Sequence, residues 1–547
     1  MTRAAPALAL AIVAASCGAS SPVASPRGDD ALVLIGEVVI PDAPTGARAL
    51  RIADGRITHV LTADDPALSG RRERVEGVIL PGLVDAHLHL AGLGRARRTV
   101  DLRGTRSEAE VVARVAEAAR GLPSGTWIRA RGWDQNDWDD PALPTHDALS
   151  AAVPDHPAWL TRVDGHAAWL NARAMELGGV TDATESAAGG ELLRDAAGRA
   201  TGLFVDAAMD AVAQALPPPS AQELAADLRH ALARCAEAGL TGVHDMSVEL
   251  DELAALERLE AQGELTLRVT VYLAGGAAGV GERLRQPPDR EGRLRVVGVK
   301  YFADGALGSR GAALFDDYAD RPGHRGLLAQ SPERLAELAR EAHDAGYQLA
   351  IHAIGDRGNA VALDAIEAAQ GTDRARRHRI EHAQVLREAD VGRFAALGVV
   401  ASMQPTHATS DMPWAEARVG PARLRFAYAW RTLAQAGALL AFGSDAPVED
   451  HRPALGLYAA LTRQDADGAP PGGWRPEERL TIEDALLAFT RGPARALGDD
   501  ESGVIRPGAR ADLTIVGADP RALAPAALRE LRVLATVVDG RVVYRAR

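Results

Sequence analysis

Two histidines one residue apart stand in the run LPGLVDAHLHLAGLG, residues 80 to 94. In a strand, side chains two apart share a face, so Asp85, His87 and His89 would point the same way. Two such imidazoles can be core residues satisfied by their neighbours, or the first half of a metal site. The rest of the chain repeats the theme. Lys300 lies in LRVVGVKYFADG, His352 in YQLAIHAIGD, His382 in RHRIEHAQV and Asp445 in ALLAFGSDAP, each at or near the end of a strand-like run. Four imidazoles and a carboxylate suit zinc or a similar divalent ion. A lysine repels cations, but burial lowers its pKa. The neutral amine can then take up carbon dioxide as a carbamate, whose two oxygens can serve two cations. The alternative is that Lys300 pairs with Asp304 or with a carboxylate on the substrate.

Residues so far apart in the chain need a scaffold that gathers strand ends. The strand-like runs alternate with helical ones; SPERLAELAREAHDAG (331–346) carries a Ser331 cap, Pro332 at the first helical position and Gly346 at the stop. TIEDALLAFTRGPARAL (481–497) begins on a cap-like Thr481. Repeated βα units of this number predict a distorted (β/α)8 TIM barrel, whose functional groups collect at the C-terminal ends of its strands. Both chain ends read as short strands with Asp-Gly turns, at 54–55 and 539–540, and are expected to pair into one small flanking β-sandwich domain. The expected parts are a signal peptide (1–17), a linker (18–30), the first part of the β-domain (31–80), the barrel (81–497) and the second part of the β-domain (498–547). Residues 101–215 break the βα rhythm and hold five of the eight tryptophans, so they read as an insertion near the barrel mouth.

Composition narrows the function. The net charge is −13 and no long Lys/Arg run occurs, which argues against a nucleic-acid partner. No G-x-S-x-G elbow is present, which disfavours a serine hydrolase, and the Gly-rich GGAAGVGERLR (275–285) fits neither a Rossmann nor a P-loop pattern.

The ordered set His87, His89, Lys300, His352, His382 and Asp445 resembles the amidohydrolase superfamily, in the subtype with two metals bridged by a carboxylated lysine. The segments WIRARGWDQNDW (127–138), DGHAAWLNARAM (164–175), KYFADGALGSRGAAL (300–314), SMQPTHATSD (402–411) and AFGSDAPVE (441–449) resemble the branch that contains N-substituted formamide deformylases. The resemblance implies one metal on His87, His89, Lys300 and Asp445, and a second on Lys300, His352 and His382. It implies zinc as the metal, a CO2-derived carbamate on Lys300, Asp445 as the catalytic acid–base, and a small-molecule substrate. The implied reaction is cleavage of a C–N bond, in an amide or N-substituted formamide, by metal-activated hydroxide. Hydrolysis of a lactone, cyclic ureide or dipeptide on the same site is the alternative within enzymes; a non-catalytic regulatory or binding surface lipoprotein is the alternative outside them. His407 follows a strand-like run and is a candidate substrate contact; Trp133, Asp134 and His166 are candidates from the insertion. His244 ends an earlier strand-like run without a partner that suggests a ligand. A homo-oligomer is left open.

The N-terminus has Arg3, an apolar run too short to span a bilayer, and then AASC at 14–17. This reads as an export signal of the lipoprotein type with Cys17 as the lipidated residue, although Ala14 stands where leucine is usual. The expected location is the periplasm or cell envelope, with the lipid as the only membrane contact. Cys17→Ser is expected to move the protein from the membrane fraction to the soluble periplasmic fraction with activity intact. A wild type already soluble in fractionation would refute lipidation and leave export alone.

Overall fold

The structure, a computed structural model, describes residues 31–39, 47–65, 69–187 and 189–547; Cys17 and the expected signal and linker lie outside them. Eight strands form one parallel sheet: Leu83–Leu88, Leu240–Val248, Arg268–Ala274, Leu294–Phe302, Gln348–Ala353, Arg379–His382, Val400–Met403 and Leu439–Phe442. Their order in the sheet is their order in the chain. Seven parallel ladders join successive strands. The first and eighth strands meet at the mouth through two backbone bonds just beyond the eighth strand. Asp445 N–H donates to the His87 carbonyl at 2.6 Å, and His89 N–H to the Ala446 carbonyl at 2.8 Å. Asp85 reinforces this seam by accepting from the Ser444 hydroxyl at 2.5 Å and the Ser444 N–H at 3.0 Å. The result is the expected TIM barrel, nearly closed.

Most of the strands are apolar runs buried on both faces, as a parallel barrel demands. The helices cover them with one apolar stripe each. In Pro332–Asp344 the Ser331 hydroxyl accepts from Arg334 N–H at 3.2 Å, and Leu335, Ala339 and Ala342 face inward. The run after Thr481 is two helices rather than one, Ile482–Phe489 and Arg491–Ala496, broken at Thr490. Gly492 packs so closely on the eighth strand that a Cβ there would lie 2.2 Å from the Leu440 carbonyl oxygen, and a straight helix cannot make that approach.

The two chain ends pair in one mixed seven-stranded sheet. Its two Asp-Gly hairpins have positive φ at both central residues, 52° and 72° at Asp54 and Gly55 and 50° and 71° at Asp539 and Gly540, as a type I′ turn requires. The sheet rolls until Ile57 N–H reaches the Ala509 carbonyl at 2.9 Å, enclosing Leu34, Ile52, Ile79, Leu513 and Val537.

The insertion forms a separate six-stranded sheet from Val100–Asp101 to Ala200–Asp206. Trp133 lies in its core, fully buried, with ring centroids 6.1 Å from both Trp138 and Trp169. Its indole N–H donates to the Leu160 carbonyl at 2.8 Å. Trp133, expected to touch substrate, instead packs: the ladder slips between Arg131 and Trp133, with Gly132 at φ 104°, and the slip turns the indole to the core face of Ile128 and Ala130. Trp133→Ala is expected to cost about 3–5 kcal/mol of stability, read as a lower melting temperature. A raised KM at unchanged melting temperature would restore the substrate role.

Candidate metal centre

The C-terminal ends of the barrel strands bring all six sequence-predicted positions to one mouth. Ligand-capable atoms of His87, His382 and Asp445 lie within 4.8 Å of one another. Asp445 Oδ1 is 3.1 Å from His89 Nε2 and 3.4 Å from His87 Nε2. Lys300 Nζ is 3.4 Å from His87 Nε2. The His382 ring is 4.9 Å from that of His87 and 4.6 Å from that of His352, centroid to centroid. His382 and Asp445 both have positive φ, 74° and 59°, a conformation costly for these residue types. In a regular strand His382 would point away from its neighbour Glu381; the left-handed turn re-aims it.

Three of the imidazoles have one nitrogen already committed. His87 Nδ1 faces Glu381 Oε2 at 2.6 Å, His89 Nδ1 the Met246 carbonyl at 2.9 Å, and His382 Nδ1 the Gln404 Oε1 at 2.8 Å. Each partner accepts, so Nδ1 carries the proton and Nε2 presents its lone pair, as outer partners arrange for metal ligands. His352 differs: its Nε2 lies 3.3 Å from the Gly305 carbonyl and 3.7 Å from Asp304.

Burial dominates the electrostatics. It lowers His87 to about 4, helped by the Lys300 charge, and holds His352 and His382 well below their ordinary value. These imidazoles are neutral and able to ligate. Burial would raise Asp445, but His87, the His89 hydrogen bond and His382 hold it well below the carboxylate range. Burial brings Lys300 down to about 8, against the opposing pull of Glu381 and Asp445. Among the described residues no carboxylate lies at ion-pair distance from Lys300. Asp304 is instead held by the N–H groups of Ala313, Ile354 and Gly355 at 2.8, 2.9 and 2.8 Å, so the Lys300–Asp304 pair weighed from sequence is not formed. Neutral nitrogen donors around a buried, anionic carboxylate are a donor set that fits divalent cations.

Several partners of the candidate residues were not evident from sequence: Arg379, Glu381, Arg162, Asp164 and Asp206. Arg379 grips both oxygens of Glu381, at 2.5 and 3.0 Å, and so fixes the partner of His87. From the insertion, Arg162 binds both Asp134 and Asp164. His166 Nδ1 lies 2.6 Å from Asp206, with its ring 4.9 Å from His352. The signal available was the spacing of Arg379 and Glu381, two apart on one strand face.

A cavity of about 390 Å³ opens over the cluster, lined among others by Asp134, His166, His352, His382, His407 and Asp445. His407 stacks on His382 at 5.8 Å, its Nε2 3.7 Å from Asp445 and without a hydrogen-bond partner. His244 is buried below the mouth, where its Nδ1 accepts from Arg379 at 2.9 Å.

A parallel barrel carrying a candidate His/His/Asp cation site at its strand ends has the construction of a metal-dependent hydrolase. The chain belongs to the amidohydrolase family, whose model matches residues 76–544. It is 34% identical to YtcJ of Bacillus subtilis (strain 168), whose name places it among amidohydrolases, over 85% of this chain and 89% of that one. It is 29% identical to an N-substituted formamide deformylase of Arthrobacter pascens, over 93% and 97%. Among solved structures it is similar to an uncharacterized metal-dependent hydrolase of Pyrococcus horikoshii OT3, with TM-score 0.74 and 28% identity over 91% of this chain and 99% of that one. The partner implied is a small-molecule substrate.

Gln404→Leu keeps the side-chain volume but removes the acceptor that orients His382. Metal affinity is expected to fall by about 10–100-fold, measured by competition with a chromophoric chelator. Unchanged affinity would show that His382 needs no such partner.

Proposed function

We propose that the protein hydrolyses a C–N bond in an amide or N-substituted formamide. In this reading two zinc ions are held, one by His87, His89, Lys300 and Asp445, the other by Lys300, His352 and His382, with Lys300 as its carbamate. The observation that carries it is Asp445, whose Oδ1 is 3.1 Å from His89 Nε2 while Oδ2 faces His407 at 3.7 Å. Bound divalent ions would supply a water acidic enough to ionise near neutral pH and would polarise the scissile carbonyl. The chain supplies the proton traffic. Asp445, held anionic, takes the proton of the attacking water and passes it to the departing nitrogen, which would otherwise leave as a very poor leaving group. Asp134, His166 and His407 also line the cavity and are the candidate contacts for the rest of the substrate. The formamide choice is supported by the deformylase relative at 29% identity. The place of action would be the cell envelope, on the N-terminal argument above.

Asp445→Asn preserves the shape and abolishes proton acceptance. Turnover of N-benzylformamide is expected to drop by roughly 10²–10⁴, with most of the metal retained. Near-normal turnover would move the proton to His407 or His166. The purified protein should carry close to two divalent ions per chain by elemental analysis. In Lys300→Ala metal content and turnover should fall together, with partial rescue by a short carboxylic acid. Full occupancy in that variant would exclude the carbamate bridge.

A further inference from the structure

Beside the metal cavity, between insertion and barrel, lies a second chamber of about 450 Å³. Its wall carries six arginines, Arg95, Arg97, Arg103, Arg129, Arg131 and Arg234, against three carboxylates, Asp101, Glu449 and Asp450. The carboxylates are already engaged. Asp101 is gripped by Arg103 at 2.9 and 2.8 Å, Asp450 by Arg452 at 3.0 Å, and Glu449 accepts from the Ser410 hydroxyl at 2.6 Å. Arg97 and Arg234 turn to Asp227 and Glu237 outside the chamber.

Arg129 and Arg131 have no carboxylate at ion-pair distance among the described residues. Arg129 donates to the Pro217 carbonyl, and Arg131 to the Val163 carbonyl at 2.9 Å. Arg131 Nε is buried without a partner, as is Arg95 Nε, whose guanidinium is 3.9 Å from Glu252. Burial pushes both Arg129 and Arg131 below the ordinary guanidinium range. Unpaired cations in such a place cost stability unless something anionic joins them.

The chamber and the metal cavity adjoin and share part of their lining. Arg103, Val163, Glu449 and Asp450 line both. Arg131 lies against Val163 and Gly165, where a Cβ would be 3.4 Å from its Nη2. The same loop carries Asp164 and His166 into the metal cavity.

We propose that this chamber receives the anionic end, a carboxylate or a phosphate, of the molecule whose C–N bond is cleaved next door. The planar forks of Arg129 and Arg131 suit either oxyanion. The inference rests on the hydrolase reading for the word substrate, but anion binding itself does not.

The test uses the full-length, metal-loaded protein. Calorimetry compares 4-ethylbenzoate, phenyl phosphate and the neutral 4-ethylbenzyl alcohol, in wild type and in the double variant Arg129→Gln/Arg131→Gln. One of the anions is expected to bind wild type, and the tighter one names the group. The double variant should lose about 10-fold or more of that affinity, the worth of a charge-assisted contact. Because no carboxylate among the described residues pairs with either arginine and glutamine keeps an N–H donor for the carbonyls they serve, the variant's melting temperature in anion-free buffer should not fall, which separates lost binding from misfolding. In parallel, kcat/KM for 4-(formamidomethyl)benzoate relative to N-benzylformamide should fall in the variant. Absence of anion binding, or unchanged affinity in the variant, overturns the proposal. Arginine-dependent binding with no turnover of either formamide leaves the chamber standing and counts against the formamide reading instead.

Discussion

The ion pair between Arg379 and Glu381 inside the barrel is what the rest of the site hangs on. Both side chains are fully buried. The guanidinium spends its donors on both Glu381 oxygens, on Ser402 Oγ and the Ala86 carbonyl at 2.6 Å each, and on His244 Nδ1 at 2.9 Å, with Tyr272 OH at 3.3 Å. Five strands are thereby tied to one cation. Such a pair gains little net stability over an apolar core, and removing either member would strand a charge at a cost of about 3–5 kcal/mol. Its value is positional. Burial alone would raise the Glu381 carboxyl, yet Arg379 and His87 hold it well below the usual range. A permanent acceptor therefore sits under His87 and decides which of its nitrogens faces the mouth.

The insertion is fitted to the barrel by close approach. A Cβ on Gly305 would lie 2.2 Å from Asp206, and one on Gly308 would lie 2.7 Å from Arg162. The loop after the fourth strand can thus pass under the two residues that steady His166 and Asp134. Substrate-facing groups of the insertion are positioned by barrel backbone, so the cavity roof and floor form one unit. Among the described residues no helix is long and apolar enough to cross a membrane.

Much of this is legible in the sequence. His87 and His89 share a face because strands have period two, and barrel strands end at one rim, so Lys300, His352, His382 and Asp445 could be placed together from order alone. The Asp-Gly turns and the Ser331 cap are local chemistry and came out as expected. What local pattern does not encode stayed hidden. Glu381 adjoins His382, and alternation would send them to opposite faces; the positive φ that brings both to the centre is imposed by tertiary packing. Trp133 was a candidate because it lies in an insertion motif beside Asp134, yet the ladder slip that buries it is a property of the assembled sheet. The Arg162–Asp134–Asp164 cluster depends on strand pairing within the insertion, where parallel and antiparallel neighbours mix.

The seam between first and eighth strands bears on the order of assembly. Every other pair in the barrel joins neighbours in the chain order, whereas Asp85 and Ser444 are 359 residues apart. Contacts of such separation form late, because loop-closure entropy must be met before they contribute. The late contact is also the one that delivers Asp445 to the histidines. Until residues 439–447 join the first strand, the histidines stand without the carboxylate that faces them. The closing of the ring is thus also what completes the cluster at the mouth.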